Sequence, residues 1–153
     1  MTIGSGKFIS KKVSKVRWQP QYDTSVLESS ILVTGSWDDE RNSVVVWSGA
    51  GVAGGGEAGV QGEYEVGESV TGLEWLGQDS LLVTTSAGWL GLVKVGGLQG
   101  LHLSQEWSNL HMRGSGGCTA LALHADNVAT GGQEGKINIL VTSNRSPVKV
   151  SGQ

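Results

Sequence analysis

The chain has 153 residues, of which 25 are glycine and 2 are proline, and its formal charge at neutral pH is −3. The glycine content disfavours long helices, because each interior glycine costs about 1 kcal/mol relative to alanine, and it favours short strands joined by tight turns. The mild negative charge argues against a general nucleic-acid binder.

The compartment is predicted from cysteine usage and from apolar runs. Cys118 is the single cysteine, so no internal disulfide can form and a reducing compartment, cytosol or nucleus, fits best. The N-terminus has no apolar core of the kind that a signal peptide needs, and no run approaches the roughly 18 apolar residues of a membrane span. We therefore expect a soluble, intracellular protein without membrane insertion.

The first basic residues precede the first acid, Asp23. They are Lys7, Lys11, Lys12, Lys15 and Arg17. A dense basic block would favour a phosphate-binding arm. These residues are scattered, so we favour a solvated strand edge, where lysines deter aggregation. Residues 7–10 are a possible short strand.

Three similar units follow one another along the chain. Each contains a triplet of small residues, at 34–36, 84–86 and 130–132, with spacings of 50 and 46 residues. Apolar and β-branched runs surround each triplet and predict four short strands per unit. The predicted strands are 13–18, 31–33, 44–47 and 64–66, then 69–75, 81–83, 90–93 and 101–107, then 118–124, 127–129, 137–140 and 148–150. Repetition of four short strands at this period indicates the blades of a β-propeller.

The turn inside each unit supports this interpretation. Asp38 opens the first turn, and Gly88 and Gly135 close the second and third, where small or acidic residues before glycine favour a tight hairpin. The first unit, with Asp38 and Trp47, resembles the end of a WD-repeat blade. No Gly-His pair precedes any unit, so we expect the buried polar network of WD repeats to be at best partial.

Three segments are similar to the forty-three-kilodalton WD-repeat nucleoporin family. Residues 7–20 resemble its opening, residues 34–48 its first blade and residues 132–139 its third. The likeness runs from about Lys7 to Val141. It implies an all-β fold, a partial WD-repeat β-propeller of about three four-stranded antiparallel blades from a larger ring.

The expected domain divisions follow from this resemblance. Residues 7–10 would be a ring-closing strand, 12–67 the first blade with a Gly-rich loop at 49–62, 68–111 the second blade and 117–150 the third. The family has about twice this length and a closed ring. We therefore expect the chain to be an N-terminal fragment whose outer blades have uncovered apolar faces.

The resemblance also implies a function. The family is a non-enzymatic scaffold in the Y-shaped outer-ring complex of the nuclear pore, where it supports pore assembly, mRNA export and protein transport. Its partners would be other nucleoporins, with no cofactor, metal, small-molecule substrate or direct nucleic-acid contact. The implied location is the nuclear envelope, and in animals also the kinetochore in mitosis. The alternative is a WD-repeat adaptor of another nuclear or cytosolic complex, such as a chromatin or ubiquitin-ligase assembly.

A rival function from another class depends on Gly49 to Gly54, which match G-x-G-x-x-G directly after a predicted strand. A nucleotide-dependent oxidoreductase needs a helix after that turn to hold the pyrophosphate. Gly55, Gly56, Gly59 and Gly62 disfavour such a helix, so we favour a flexible loop. A helix over residues 54–66 would favour the rival.

Other residues with chemical potential lack a supporting pattern. His102, His111 and His124 have no metal-ligand spacing, and Cys118 has no CxxC partner and opens an apolar strand. Ser115 lies between glycines and not in a nucleophile elbow. The acids Glu57, Glu63, Glu65 and Glu68 are interpreted as solvated charge in loop and linker.

The tryptophans fall into two predicted groups. Trp18, Trp47 and Trp75 close strands and are predicted to be core. Trp37 and Trp89 lie beside turns and could be exposed on a propeller face, where tryptophan is enriched at binding hot spots. Packing against a neighbouring blade is the favoured role for this second pair.

Overall fold

A computed structural model of the chain describes residues 10–20, 31–48, 59–96 and 100–142, together with the backbone of 150–152. Twelve strands form three four-stranded antiparallel sheets, and the described helical structure is one 3₁₀ turn, Arg113–Ser115. The strands are β1 Val13–Trp18, β2 Ile31–Ser36, β3 Asn42–Ser48, β4 Gly59–Gly67, β5 Val70–Leu76, β6 Ser80–Thr85, β7 Leu90–Lys94, β8 His102–Trp107, β9 Ala120–His124, β10 Asn127–Gly131, β11 Ile137–Val141 and β12 Val150–Gly152.

Each sheet is one of the repeated units, and we call the sheets blades 1, 2 and 3 in chain order. Within each blade the strands lie side by side in the order of the sequence, and all pairings are antiparallel. This confirms the predicted fold class. The antiparallel meander follows from the short turns, because a parallel pair would need a crossover of a dozen or more residues.

The last four residues of the predicted glycine-rich loop, 59–62, form part of a strand. Residues Gly59 to Gly62 belong to β4 and pair with β3, with Gly59 opposite Ser48 and Gly62 opposite Val46, and are not part of a loop. The hydrogen-bond ladder offered by β3 outweighs the low strand propensity of glycine. A Cβ on Gly62 would lie 3.3 Å from Cγ of Leu101, so the missing side chain leaves room for blade 2.

This strand bears on the oxidoreductase hypothesis. That hypothesis required a helix over residues 54–66, and β4 is extended throughout its length, Gly59–Gly67. The G-x-G-x-x-G residues 49–54 lie outside the described residues. So do residues 7–9 of the possible N-terminal strand, whose last residue, Ser10, lies in a bend with a φ of 59°.

Blade 2 lies between the other two blades and is buried on both faces. Its strand β6 is buried at every position, which is typical of a strand with apolar layers on both sides. Val83 faces a core shared with blade 1, and its neighbour Leu82 faces a core shared with blade 3. The uninterrupted apolar runs in the sequence therefore correspond to a sheet that packs against another blade on each of its two faces.

A glycine allows blades 1 and 2 to pack closely. Gly35 in β2 faces Val70 at the start of β5, and a Cβ at position 35 would lie 2.5 Å from Cγ1 of Val70. Both residues are buried, and Ser14 in β1 donates a hydrogen bond of 2.7 Å to the carbonyl oxygen of Val70. The two blades are thus held together by apolar packing and by a hydrogen bond at the same point.

One predicted core residue is exposed. Trp47 and Trp75 are buried as predicted, but Trp18 is 58% exposed. Trp18 pairs with Leu32, which in turn pairs with Trp47, so all three side chains lie on the face of blade 1 that points away from blade 2. Trp18 lies in the edge strand β1, whereas Trp47 lies in the interior strand β3. Strand alternation predicts which residues share a face, but not whether their strand lies at the edge of the sheet.

Candidate protein-interaction surface

One edge of the three blades collects the turns and the connections between blades. The start of β1 pairs with the end of β2 (Val13 with Ser36), and the start of β3 pairs with the end of β4 (Asn42 with Gly67). The same strand order in blades 2 and 3 places their corresponding segments at the same edge. We call this edge the turn surface, which comprises residues 36–42, 67–69, 85–90, 108–119 and 132–136.

Hydrogen bonds between segments make the turn surface continuous. The backbone N–H of Asp38 donates to Oγ of Ser69 at 3.0 Å, and the N–H of Ser86 donates to the carbonyl of Ser69 at 2.9 Å. Leu110 then donates to the carbonyl of Gly88 at 2.9 Å. The turns of blades 1 and 2 are therefore fixed relative to one another by the connections that follow them.

Trp37 is the large aromatic side chain that projects from the first turn. It is 45% exposed, and Nζ of Lys12 lies 5.2 Å from the centroid of its ring, within cation–π range. Lys12 also forms an ion pair with Asp38. The contact with Lys12 restricts the exposed Trp37 side chain, and a restricted side chain loses less entropy when a partner binds.

Trp89 is packed more deeply than Trp37. It is half-buried against the core of blades 1 and 2, and its ring lies over Gly91, where a Cβ would collide with Cη2. Its indole N–H donates to Oε2 of Glu106 at 2.9 Å. Both of these contacts lie within blade 2, so packing against a neighbouring blade stays a prediction for this residue.

A cleft of about 310 Å³ opens on the turn surface where blades 1 and 2 meet. Aromatic, acidic and basic residues are among those that line it: Tyr64, Trp89, Glu65, Glu68, Glu106 and Arg113. Arg113 forms an ion pair with Glu68. The sequence offered no motif for this cleft, because its residues come from two blades and from the connection between β8 and β9.

A buried polar network lies beneath the turn of blade 3. His111 is fully buried, and its Nδ1–H donates to the carboxylate of Glu134. Its Nε2 lies 2.9 Å from Oγ1 of Thr130 and 3.3 Å from Nδ2 of Asn138, both of which can donate to it. The hydrogen bond from His111 lowers the pKa of the Glu134 carboxyl.

The role of His111 was not predicted from the sequence. The three histidines have no metal-ligand spacing and no Gly-His pair precedes a unit, whereas His111 follows Leu110 in the connection before β9. The pattern that could have indicated this role is a histidine in the connection between two blades, followed by a threonine in the second strand after it. In blade 1 the corresponding threonine, Thr34, accepts a hydrogen bond of 3.0 Å from Nε1 of Trp47. The two blades therefore use different side chains to hydrogen-bond the threonine.

The remaining candidate residues have structural positions. Cys118 is buried, and its burial raises the pKa of the thiol to about 12, which agrees with packing and not with reactivity. His102 and His124 are exposed in different blades. Ser115 ends the 3₁₀ turn between β8 and β9.

The early basic residues contact acids on the same or the neighbouring blade. Lys11 lies 3.6 Å from Glu63, and Arg17 lies 3.4 Å from Glu74. These exposed pairs fit the solvated strand edge better than a free phosphate-binding arm. Glu63 and Glu65 belong to β4 and not to a loop, because they alternate with Tyr64 and Val66. Lys7 and Glu57 lie outside the described residues.

Two further findings concern the described part of the chain. It contains no group of three or more His, Cys, Asp or Glu residues placed to hold a metal ion. It also contains no helix with the length and hydropathy that a membrane span requires.

Comparison with known proteins finds nucleoporins that are similar to this chain. No protein-family model matches it. It is 26% identical to nucleoporin Nup43 of Homo sapiens and 27% identical to nucleoporin Nup43 of Mus musculus, each over 160 aligned positions that cover 94% of this chain. The chain is thus similar to Nup43 over most of its length, and it spans 42% of the length of these relatives.

Proposed function

We propose that the chain is a non-enzymatic scaffold of the nuclear pore, a protein-interaction subunit of the Y-shaped outer-ring complex. The observation that supports this most is the extent of the Nup43 similarity, which covers 94% of the chain. A similarity confined to one turn motif would fit any WD-repeat protein. Pore assembly, mRNA export and protein transport are the processes that such a subunit would support.

The geometry favours a scaffold role. Three blades with shared cores present turns and connections that are fixed by inter-segment hydrogen bonds, and loops on a rigid base are the usual place for binding residues. Trp37, exposed and held by Lys12, is the residue of the turn surface best suited to anchor a partner. Blade extents of 12–67, 68–111 and 117–150 are part of the proposal.

The proposed partners are other nucleoporins, and the proposed locations are the nuclear envelope and, in mitotic animal cells, the kinetochore. Direct nucleic-acid binding, membrane insertion and a small-molecule substrate have no place in the proposal. The chemistry of recognition is then that of a protein–protein interface, with aromatic anchors surrounded by polar contacts.

Affinity purification from nuclear envelopes with the tagged chain as bait tests this function. Outer-ring nucleoporins should be enriched over an untagged control. Trp37→Ala should reduce their recovery, whereas Trp18→Ala, which removes an exposed tryptophan from the outer face of blade 1, should not. Recovery of a chromatin or ubiquitin-ligase complex without nucleoporins would instead support the adaptor alternative.

A further inference from the structure

The cleft between blades 1 and 2 has a composition that is unusual for the surface of a structural repeat. Its aromatic side chains, Tyr64 and Trp89, come from different blades, since Tyr64 lies in β4 and Trp89 precedes β7. Both are half-buried. Paired aromatic walls at a blade junction form a concave site in which a flat or elongated group can be covered from two sides.

The charges of the cleft favour a cationic occupant. Glu68 and Glu106 line it together with one basic residue, Arg113, so these three groups carry a net charge of −1 when ionised. Glu65 borders the cleft too, but it alternates with Tyr64 in β4, so its carboxylate lies on the opposite face of the strand. Glu106 is oriented by the indole N–H of Trp89, which donates to its Oε2. Aromatic faces and carboxylates both attract cations, the first through the ring quadrupole and the second through Coulomb forces.

The chain itself places a guanidinium at this cleft. Arg113 projects from the 3₁₀ turn between β8 and β9, and its Nη1 contacts Oε1 of Glu68. The side chain of Arg113 is 67% exposed and that of Glu68 is 44% exposed, so the pair is open to solvent and to competition. One carboxylate of the cleft is therefore engaged by an internal cation, while Glu106 remains to receive an external one.

We propose that this cleft binds an arginine side chain presented by a basic segment of a protein partner. The guanidinium plane would lie against the aromatic walls and hydrogen-bond to Glu106, with Arg113 as the internal cation that competes for the acidic side of the cleft. Arginine is favoured over lysine because a planar guanidinium can stack on aromatic rings and bond to carboxylates at the same time. Only the identity of the partner as a nucleoporin depends on the proposed scaffold function.

A titration with N-acetyl-arginine amide tests the cleft without any nucleoporin. The ligand is added to the ¹⁵N-labelled full chain, and the signal of the Trp89 indole N–H is followed by NMR. We expect a saturable shift of this signal. N-acetyl-citrulline amide, which has nearly the same shape without the charge, should leave it unchanged. Equal shifts with both ligands, or no shift with arginine, would overturn the proposal.

Three variants separate charge recognition from a structural effect. Glu106→Gln keeps an acceptor for Trp89 and removes one charge, so affinity should fall about two- to fivefold, which corresponds to roughly 0.5–1 kcal/mol. Arg113→Gln removes the competing cation and should raise affinity by a similar factor. Glu40→Gln removes an exposed charge from the turn of blade 1, outside the cleft lining, and serves as the matched control.

The direction of the Arg113→Gln effect is the sharpest criterion. A residue that merely maintained the fold would weaken binding when replaced, whereas a competing cation strengthens it. Weaker binding in Arg113→Gln, or equal losses in Glu106→Gln and Glu40→Gln, would refute the assignment. Binding of arginine without recovery of nucleoporins from nuclear envelopes would leave the cleft established and the scaffold function refuted.

Discussion

The contact of Gly35 with Val70 offers a direct perturbation of blade packing. In Gly35→Ala the added methyl would lie 2.5 Å from Cγ1 and 2.9 Å from Cβ of Val70, both closer than packed carbon atoms approach. Overpacking of this kind costs about 1–3 kcal/mol. Alanine recovers about 0.5–1 kcal/mol over glycine inside a strand, so the expected net loss is about 1–2 kcal/mol.

A double-mutant cycle identifies the partner of that methyl. Val70→Ala alone should cost about 2 kcal/mol, because it removes two methyl groups from a side chain that is 1% exposed. In the double variant the Cγ atoms that obstruct the added methyl are gone, so the combined loss should be smaller than the sum by about 1 kcal/mol. Urea unfolding followed by tryptophan fluorescence measures all four free energies of unfolding.

Gly59→Ala is the matched control for the cycle. Gly59 also lies in a strand of blade 1, but a Cβ there would meet nothing within 4 Å, so the variant should be neutral or slightly stabilising. The reasoning fails if Gly35→Ala is as harmless as Gly59→Ala. It fails equally if the losses from Gly35→Ala and Val70→Ala simply add.

Two further predictions concern blade 3 and its junction with blade 2. Leu82→Ala should lower the free energy of unfolding by about 2–5 kcal/mol, because Leu82 is fully buried between the blades. Ile139→Ala, at an aliphatic side chain that is 44% exposed, should cost less than about 1 kcal/mol in the same urea assay, and comparable losses would contradict the two-sided burial of blade 2. The hydrogen bond from His111 lowers the pKa of Glu134 in the folded chain below the ordinary carboxyl value of 4.5. The ionised Glu134 therefore stabilises the fold above pH 4.5, and this stabilisation is lost as the pH falls through the lower pKa of the folded chain. Glu134→Gln should therefore weaken the dependence of the urea midpoint on pH below about 4.5, and an unchanged acid limb would show that this carboxylate does not couple to folding.

The fold was largely predictable because strand signals are local. The runs around Val33, Val46 and Leu82 are apolar enough to predict buried strands, and repetition of the same order three times predicts sheets of the same kind. The prediction for Gly59 to Gly62 was wrong because their conformation depends on contacts that are distant in the sequence. Composition predicted a loop, but the pairing partner in β3 and the space needed by Leu101 are not visible in a short window of sequence.

The candidate surface was less predictable because it depends on contacts between blades. The sequence indicated that Trp37 could be exposed, since it lies within a polar turn. It could not indicate that Tyr64 and Trp89 line one cleft or that His111 reaches Thr130, because those pairs are set by how strands from different parts of the chain are brought together. Trp18 was misassigned for the same reason, since its exposure follows from the place of β1 at the edge of blade 1, which is set by strand pairing.

Nuclear Overhauser effects between blades test the central structural claim most directly. The account expects contacts from the methyls of Val70 to the Hα protons of Gly35 and from the side chain of Leu121 to the Hα protons of Gly72, where a Cβ on Gly72 would lie 3.0 Å from Cβ of Leu121. Both contacts in one folded sample would establish blade 2 between its neighbours. A folded sample that shows the strand pairings but neither contact would contradict the account.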